Sequence, residues 1–265
     1  MGPVLFTLYS QPLSDVFATY DCQFHKYADD TQLSKGSDPD AFCEAKSAIQ
    51  CCIVDILSWM KSNYLKLNTD KTELMAVGSS SRLRLIGSDS ACIGNNNIPF
   101  KTVVKYLGVK IDQTLSMHDH INSICRVSFL ELRRIASIRR CLSTAATSKL
   151  VSAMITSRLD YCNSTLAGLP NDEIKRLERV QNHAARLILK KKKTDHATPM
   201  LRELHWLPVK FRCRYKLCTL AFRHFEGTLP PYLSNALCTY VPSRTLRSSN
   251  EKLLKIPRCN LETAG

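Results

Sequence analysis

With 265 residues, 44% hydrophobic and 23% charged, the chain is long and apolar enough to bury a core, unlike a disordered segment. No apolar run approaches the ~18 residues a membrane span requires, and no signal-peptide pattern opens the chain. A membrane or secreted protein is therefore not expected, and an intracellular location, nucleus or cytoplasm, is. The net charge of +14 is unevenly placed: residues 1–118 carry 11 Lys and Arg against 12 Asp and Glu, whereas residues 119–265 carry 26 against 11. Such a basic half calls for a polyanionic partner, and nucleic acid is the commonest.

In chain order, "PVLFTLYSQPLSDVF" is helix-like and interrupted at Pro12. "DCQFHKYA" and "DTQLSKG" are extended segments meeting at Ala28-Asp29-Asp30, which predicts a hairpin. Asp38 as a cap and Pro39 at the first helical position open a helix whose apolar face is Phe42, Ala45, Ile49, Cys52, Ile53, Ile56 and Met60. "YLKLNTDKTELMAV" is read as two extended pieces around a polar turn. The Ser-, Gly- and Asn-rich stretch 79–100 is read as loops with short strands, and "TVVKYLGVKID" as a strand or tight hairpin.

The period then becomes helical. A first helix is expected over 119–140, with Ile121, Ile124, Leu132 and Ile135 inward and Arg126, Arg133 and Arg140 sharing one face at seven-residue spacing. A second begins after the cap at Ser143-Thr144, with Leu150, Met154 and Tyr161 inward. The third, "NDEIKRLERVQNHAARLILK", has a cationic flank of Lys175, Arg179, Arg186 and Lys190. Lys190–Pro199 reads as a linker, the segment from "LRELHWLPVKFRCRYKL" onward as a small helical unit, and the stretch after Pro242 as a loosely ordered polar tail. Twelve cysteines form no CxxC pair, and no cysteine pair lies near His118 or His120, so a zinc site is not expected. Reduced thiols in the core are expected instead.

Asp29 and Asp30 are the residues with chemistry to offer. Neighbours on a regular strand face opposite ways, but at a hairpin bend two carboxylates can converge on a hard divalent cation. Alone, a solvated Asp-Asp turn reads equally well. The order of motifs adds to this: "GPVLFTLYSQPLSDV", "KYADDTQL", "WMKSNYLKLNTDKTELMAVG" and "KYLGVKID" resemble the second half of a reverse transcriptase palm. The resemblance is to non-LTR, LINE-type retrotransposons. "SRLDYCNSTLAGLP", "RLERVQNHAARLIL" and "LHWLPVKFRCRYKL" are similar to the C-terminal part of the same elements.

The resemblance implies an α+β fold: an incomplete palm of antiparallel hairpins with flanking helices over 1–118, a helical basic thumb over 119–190, and a linker with a small helical unit and polar tail over 191–265. It implies an RNA-directed DNA polymerase that uses magnesium or manganese, an RNA template, a DNA primer and deoxynucleoside triphosphates. Asp29 would be the principal metal ligand and Asp30 a weaker one. Tyr27 would lie by the primer terminus, Lys71 by the leaving pyrophosphate, and Tyr106, Leu107 and Gly108 would shape the primer grip. Gly108 reads equally as a plain strand glycine, Lys71 as a solvated lysine, and Asn68 as the residue fixing the turn before it. Arg126, Arg133, Arg140, Lys175, Arg179 and Arg186 are candidates for phosphate contacts.

Fingers, the upstream palm strands and the other catalytic aspartate of the family pattern are not matched in these residues. The chain is therefore expected to bind metal weakly or not at all, and to need an upstream palm and fingers segment for activity. The alternatives are a non-catalytic RNA- or DNA-binding module and a non-functional retrotransposon relic.

Overall fold

The structure is a computed structural model and describes residues 2–86, 90–94, 96–242, 244 and 252–256. It is α+β, as expected, and divides into two compact units, residues 1–120 and 121–265. Most of the tail after Pro242, and part of the Ser-, Gly- and Asn-rich stretch at 87–89 and 95, lie outside the described residues.

The first unit opens with α1 (Gly2–Tyr9) and α2 (Leu13–Thr19), broken at Pro12. Next come the hairpin β1 (Gln23–Tyr27) and β2 (Asp30–Ser34), then α3 (Phe42–Ser62), the short α4 (Ser80–Leu83), β3 (Ser90–Ile93), β4 (Asn96–Pro99), β5 (Val103–Tyr106) and β6 (Val109–Asp112). The six strands form three separate antiparallel pairs. The apolar stripe of α3 buries Ala45, Cys52 and Ile56. Cys52 and Ile56 cluster with Leu13 and Phe17 of α2, and Phe24, Leu33 and Trp59 pack against them. Phe24 alternates inward along β1, its ring 4.6 Å from that of Phe17, and so seats the hairpin on the two helices.

Three local expectations change. Asp38 makes no side-chain cap: Pro39–Ala41 forms a 3-10 turn ahead of α3, and the Asp38 carboxylate faces Arg82 at 3.9 Å. Among the described residues, "YLKLNTDKTELMAV" forms no strand pair beyond a single bridge from Leu74 to Phe100. Of the eleven described cysteines, all free, only Cys22, Cys52 and Cys213 are buried, so most thiols are not core residues.

A buried carboxylate joins β6 to α5 (His118–Ser137). Asp112 accepts from Thr114 N and Oγ1 (3.1 and 2.7 Å), Ser116 N (3.0 Å) and Met117 N (2.7 Å). Burial alone would raise its pKa, but these four donors hold it below the usual carboxylate value. A native pKa below the unfolded ~3.9 gives stability that is present above that pH and is lost as pH falls through the native value. Asp112→Asn is expected to cost about 1.5–3 kcal/mol at pH 7 and to flatten the acid limb of stability, measured by urea unfolding from pH 2 to 7. His120, buried, accepts from Lys110 N through Nδ1, and burial followed by the Lys110 charge lowers its pKa. The wild type should therefore also weaken as pH drops below ~6.5.

In the second unit, α5 buries Ile121, Ile124, Leu132 and Ile135, as its period requires. It stops at Ser137, and Arg140 stands in a separate 3-10 turn, Arg139–Cys141, so it does not continue the face of Arg126 and Arg133. α6 (Thr144–Val151) is capped by the Ser143 hydroxyl, which accepts from Ala146 N. It runs through a π-helical turn, Ser152–Thr156, into α7 (Ser157–Asp160). Through this stretch the inward positions are Thr147, Val151, Ile155 and Leu159, which leaves Leu150 and Met154 half-buried, while Tyr161 stands one residue past the end of α7 and is exposed.

α8 (Asn171–Leu189), α9 (Ala197–Glu203), α10 (Val209–Phe225) and α11 (Pro231–Ser234) complete the unit. The lysine-rich stretch after α8 closes in a turn. Lys190 adopts φ +52°, Lys191 N donates to Arg186 O, and Asp195 accepts from Lys192 N at 2.8 Å. α9 thus folds back on α8, where Met200 and Leu201 pack with Ala185 and Trp206. At the far end, Tyr240 N and Lys255 N pair with Leu253 O and Cys238 O, so part of the tail is held in place.

Candidate functional site

The β1–β2 register pairs Phe24 with Leu33, Lys26 with Thr31 and Tyr27 with Asp30, leaving Ala28 and Asp29 as a two-residue turn. Ala28 takes φ +53°, a backbone region that costs a residue with a Cβ about 1–2 kcal/mol. Two-residue loops bend this way because the turn must match the twist of the strands. The strain is offset from below. Lys26, on the inner face, donates to Ser10 O at 2.5 Å, and burial lowers its pKa. Tyr27 and Asp30 share the outer face, the ring 66% exposed, and both aspartates are exposed.

The β5–β6 hairpin turns at Leu107 and Gly108, both at positive φ (+45° and +85°), the form that favours glycine at its second position. Gly108 is therefore a turn glycine and not a strand glycine. Gly108→Ala is expected to cost about 1 kcal/mol in urea unfolding. Tyr106, just before this turn, has its pKa raised by burial and then by the charge of Asp30. The fold thus brings two candidate residues 76 positions apart into electrostatic reach. Asn68 fixes the next turn, its side chain accepting from Lys71 N at 3.3 Å. Lys71 itself is exposed, and among the described residues it forms no ion pair with Asp29 or Asp30.

Asp29 and Asp30 offer hard oxygen donors suited to a divalent ion that draws its other ligands from water and phosphates. Among the described residues, no group of three or more His, Cys, Asp or Glu side chains surrounds them. The donor set therefore fits the two-carboxylate share of a magnesium site but not a complete two-ion centre, whose remaining carboxylate would have to come from elsewhere.

The basic candidates of the second unit divide. Arg126 and Arg179 are exposed, Lys175 is paired with Asp172 at 3.0 Å, and Arg140 stands apart as described. Arg133 and Arg186 come together on a groove of about 680 Å³ at the C-terminal ends of α5 and α8. Its other cations are Lys190, Lys191 and Lys193 on the rim and the buried Arg139. Phe129 and His183 meet there edge-on at 5.4 Å. The Arg139 guanidinium donates to Leu142 O (2.7 Å), Leu187 O (2.9 Å) and Ile188 O (2.8 Å), closing the end of α8. Sequence reading missed Phe129, Arg139 and His183. The i, i+4 spacing from Phe129 to Arg133 on α5 is a signal for Phe129, but no local spacing marks Arg139 or His183.

Residues 1–111 match the family model of the reverse transcriptase (RNA-dependent DNA polymerase) domain. No curated protein and no solved structure matches the chain. Members of this family copy a nucleic-acid template from deoxynucleoside triphosphates and generally use divalent metal ions. No described helix is long and apolar enough to cross a membrane.

Proposed function

We propose that this chain is part of an RNA-directed DNA polymerase of the non-LTR, LINE type. Residues 1–118 form the downstream half of its palm, 119–190 its thumb and 191–265 its C-terminal unit. The observation that carries this is the Tyr27-Ala28-Asp29-Asp30 turn at the exposed tip of a tight hairpin, inside the segment that matches the polymerase family. In the working enzyme Asp29 and Asp30 would hold magnesium, which would supply charge neutralisation to the triphosphate. Tyr27 lies under the primer terminus, Tyr106, Leu107 and Gly108 position the primer, and Lys71 meets the leaving pyrophosphate. The protein acts in the nucleus or cytoplasm.

The 265 residues alone do not extend a primer. Two features support their needing further polypeptide. Helix α1 buries none of its residues although Val4, Leu5 and Leu8 are each at least 60% exposed, an apolar surface that a finished core would cover. The β1–β2 ribbon has only two strands, so among the described residues both of its outer edges lack a ladder partner. The test is primer extension on an RNA template with magnesium, by the chain alone and with the upstream palm and fingers segment supplied. Extension only in the second case is expected. Extension by the chain alone would overturn its inactivity, and none in either case would overturn the polymerase reading.

A second reading, a non-catalytic nucleic-acid-binding module, is favoured by the basic groove of the second unit. It predicts affinity for RNA that falls with salt and survives Asp29→Ala.

A further inference from the structure

Resting on the reading that the basic second unit contacts nucleic acid, we propose that the groove at the C-terminal ends of α5 and α8 binds a single-stranded segment, a base seated on its apolar floor and the flanking phosphates on its cationic rim.

Charge comes first. Among the described residues that line the groove none is acidic, and six are Lys or Arg. Arg139 is spent inside the protein, since its guanidinium donates to three carbonyls. Arg133, Arg186, Lys190, Lys191 and Lys193 remain around one depression. Like charges gathered this closely repel one another, and a bound polyanion relieves that repulsion. Arg186 also has donor capacity left: one terminal nitrogen donates to Asp195 O at 2.9 Å, while its Nε is buried and, among the described residues, has no acceptor.

The floor then distinguishes single strand from duplex. Phe129, Leu132, Ala136 and Leu187 give it an apolar surface, and His183 stands edge-on against Phe129. His183 is only partly desolvated, but that and the charges of Arg186 and Lys193 lower its pKa and so disfavour the imidazolium, which leaves an aromatic ring at the exposed edge of the floor. In a duplex the bases are stacked inward and only sugar and phosphate could reach such a floor. An unstacked base flanked by phosphates matches both the floor and the rim.

The experiment measures fluorescence anisotropy of a labelled 12-nucleotide oligouridylate titrated with the full chain at several salt concentrations. The double variant Lys191→Glu/Lys193→Glu is expected to bind at least tenfold more weakly. The slope of log affinity against log salt should become shallower by about 1.4, the value for two lost phosphate contacts on a single strand. His183→Ala should lose about tenfold. An abasic 12-mer should bind wild type as weakly as the intact oligomer binds His183→Ala. Arg214→Glu/Lys216→Glu, exposed on α10 and outside the groove, should stay within twofold of wild type and controls for net charge. Asp29→Ala should leave binding unchanged, so the groove and the polymerase site are judged separately. Wild-type affinity in Lys191→Glu/Lys193→Glu, tighter binding of the matching duplex, or binding only to vesicles containing 30% phosphatidylserine would each overturn the assignment.

Discussion

Asp29→Ala is expected to lower primer extension by the complemented polymerase at least about a thousandfold, equivalent to roughly 4 kcal/mol of transition-state stabilisation. The turn gives this residue no structural role. Its carboxylate is exposed, and among the described residues it forms no ion pair. The strand pairs on either side are closed by Tyr27 with Asp30 and Lys26 with Thr31. Stability should therefore stay within about 0.5 kcal/mol of wild type, as for surface substitutions in general. A large loss of rate with no loss of stability marks a residue that works on the reaction. Asp30→Ala should cost less rate, and it adds a readout that a turn residue alone would not give. With the Asp30 charge removed, the Tyr106 hydroxyl, now held up by burial and by that charge, should titrate at lower pH. If Asp29→Ala retains extension within tenfold, the hairpin is not the metal-binding one.

The second large effect is on folding. Arg139→Ala is expected to destabilise the second unit by about 3 kcal/mol, because it leaves the carbonyls of Leu142, Leu187 and Ile188 without their donor. Two of these carbonyls end α8, where a cation is additionally favoured by the helix dipole. For a chain of this size the melting temperature should fall about 6–12 °C. The two tryptophans, Trp59 and Trp206, lie in different units. In a Trp59→Phe background, Trp206 fluorescence therefore tracks the affected unit. Arg139→Lys should recover only part of the loss, since one ammonium cannot reproduce a planar fork spanning three acceptors. A melting temperature within 2 °C of wild type for Arg139→Ala would show that these contacts do not hold the end of α8.

Much of the candidate site was legible in the chain because its signals are local. A hairpin bend at Ala28-Asp29, the turn fixed by Asn68, the cap at Ser143 and the inward faces of α3, α5 and α8 each depend on residues within a few positions of one another. Steric rules and helical period act over that range. Where a helix ends earlier than its period suggests, the spacing no longer applies: α7 stops at Asp160, which leaves Tyr161 off the inward face, and the end of α5 at Ser137 removes Arg140 from its stripe.

By itself, then, the sequence determined the turn that carries the Asp29-Asp30 motif, the order of the main helices and the concentration of positive charge after residue 118, while it left Leu107-Gly108 open between a strand and a tight hairpin. Only the tertiary structure decided that the charge of Asp30 reaches Tyr106, that Arg139 turns inward to carbonyls 48 and 49 residues away, and that Arg133 joins Arg186 and the lysine turn around one groove. The reason is physical. A turn or a helix face is set by neighbouring dihedrals and side-chain spacing. A buried cation's partners and a groove's lining are instead set by which helices pack together, and that depends on burying surface across the whole unit.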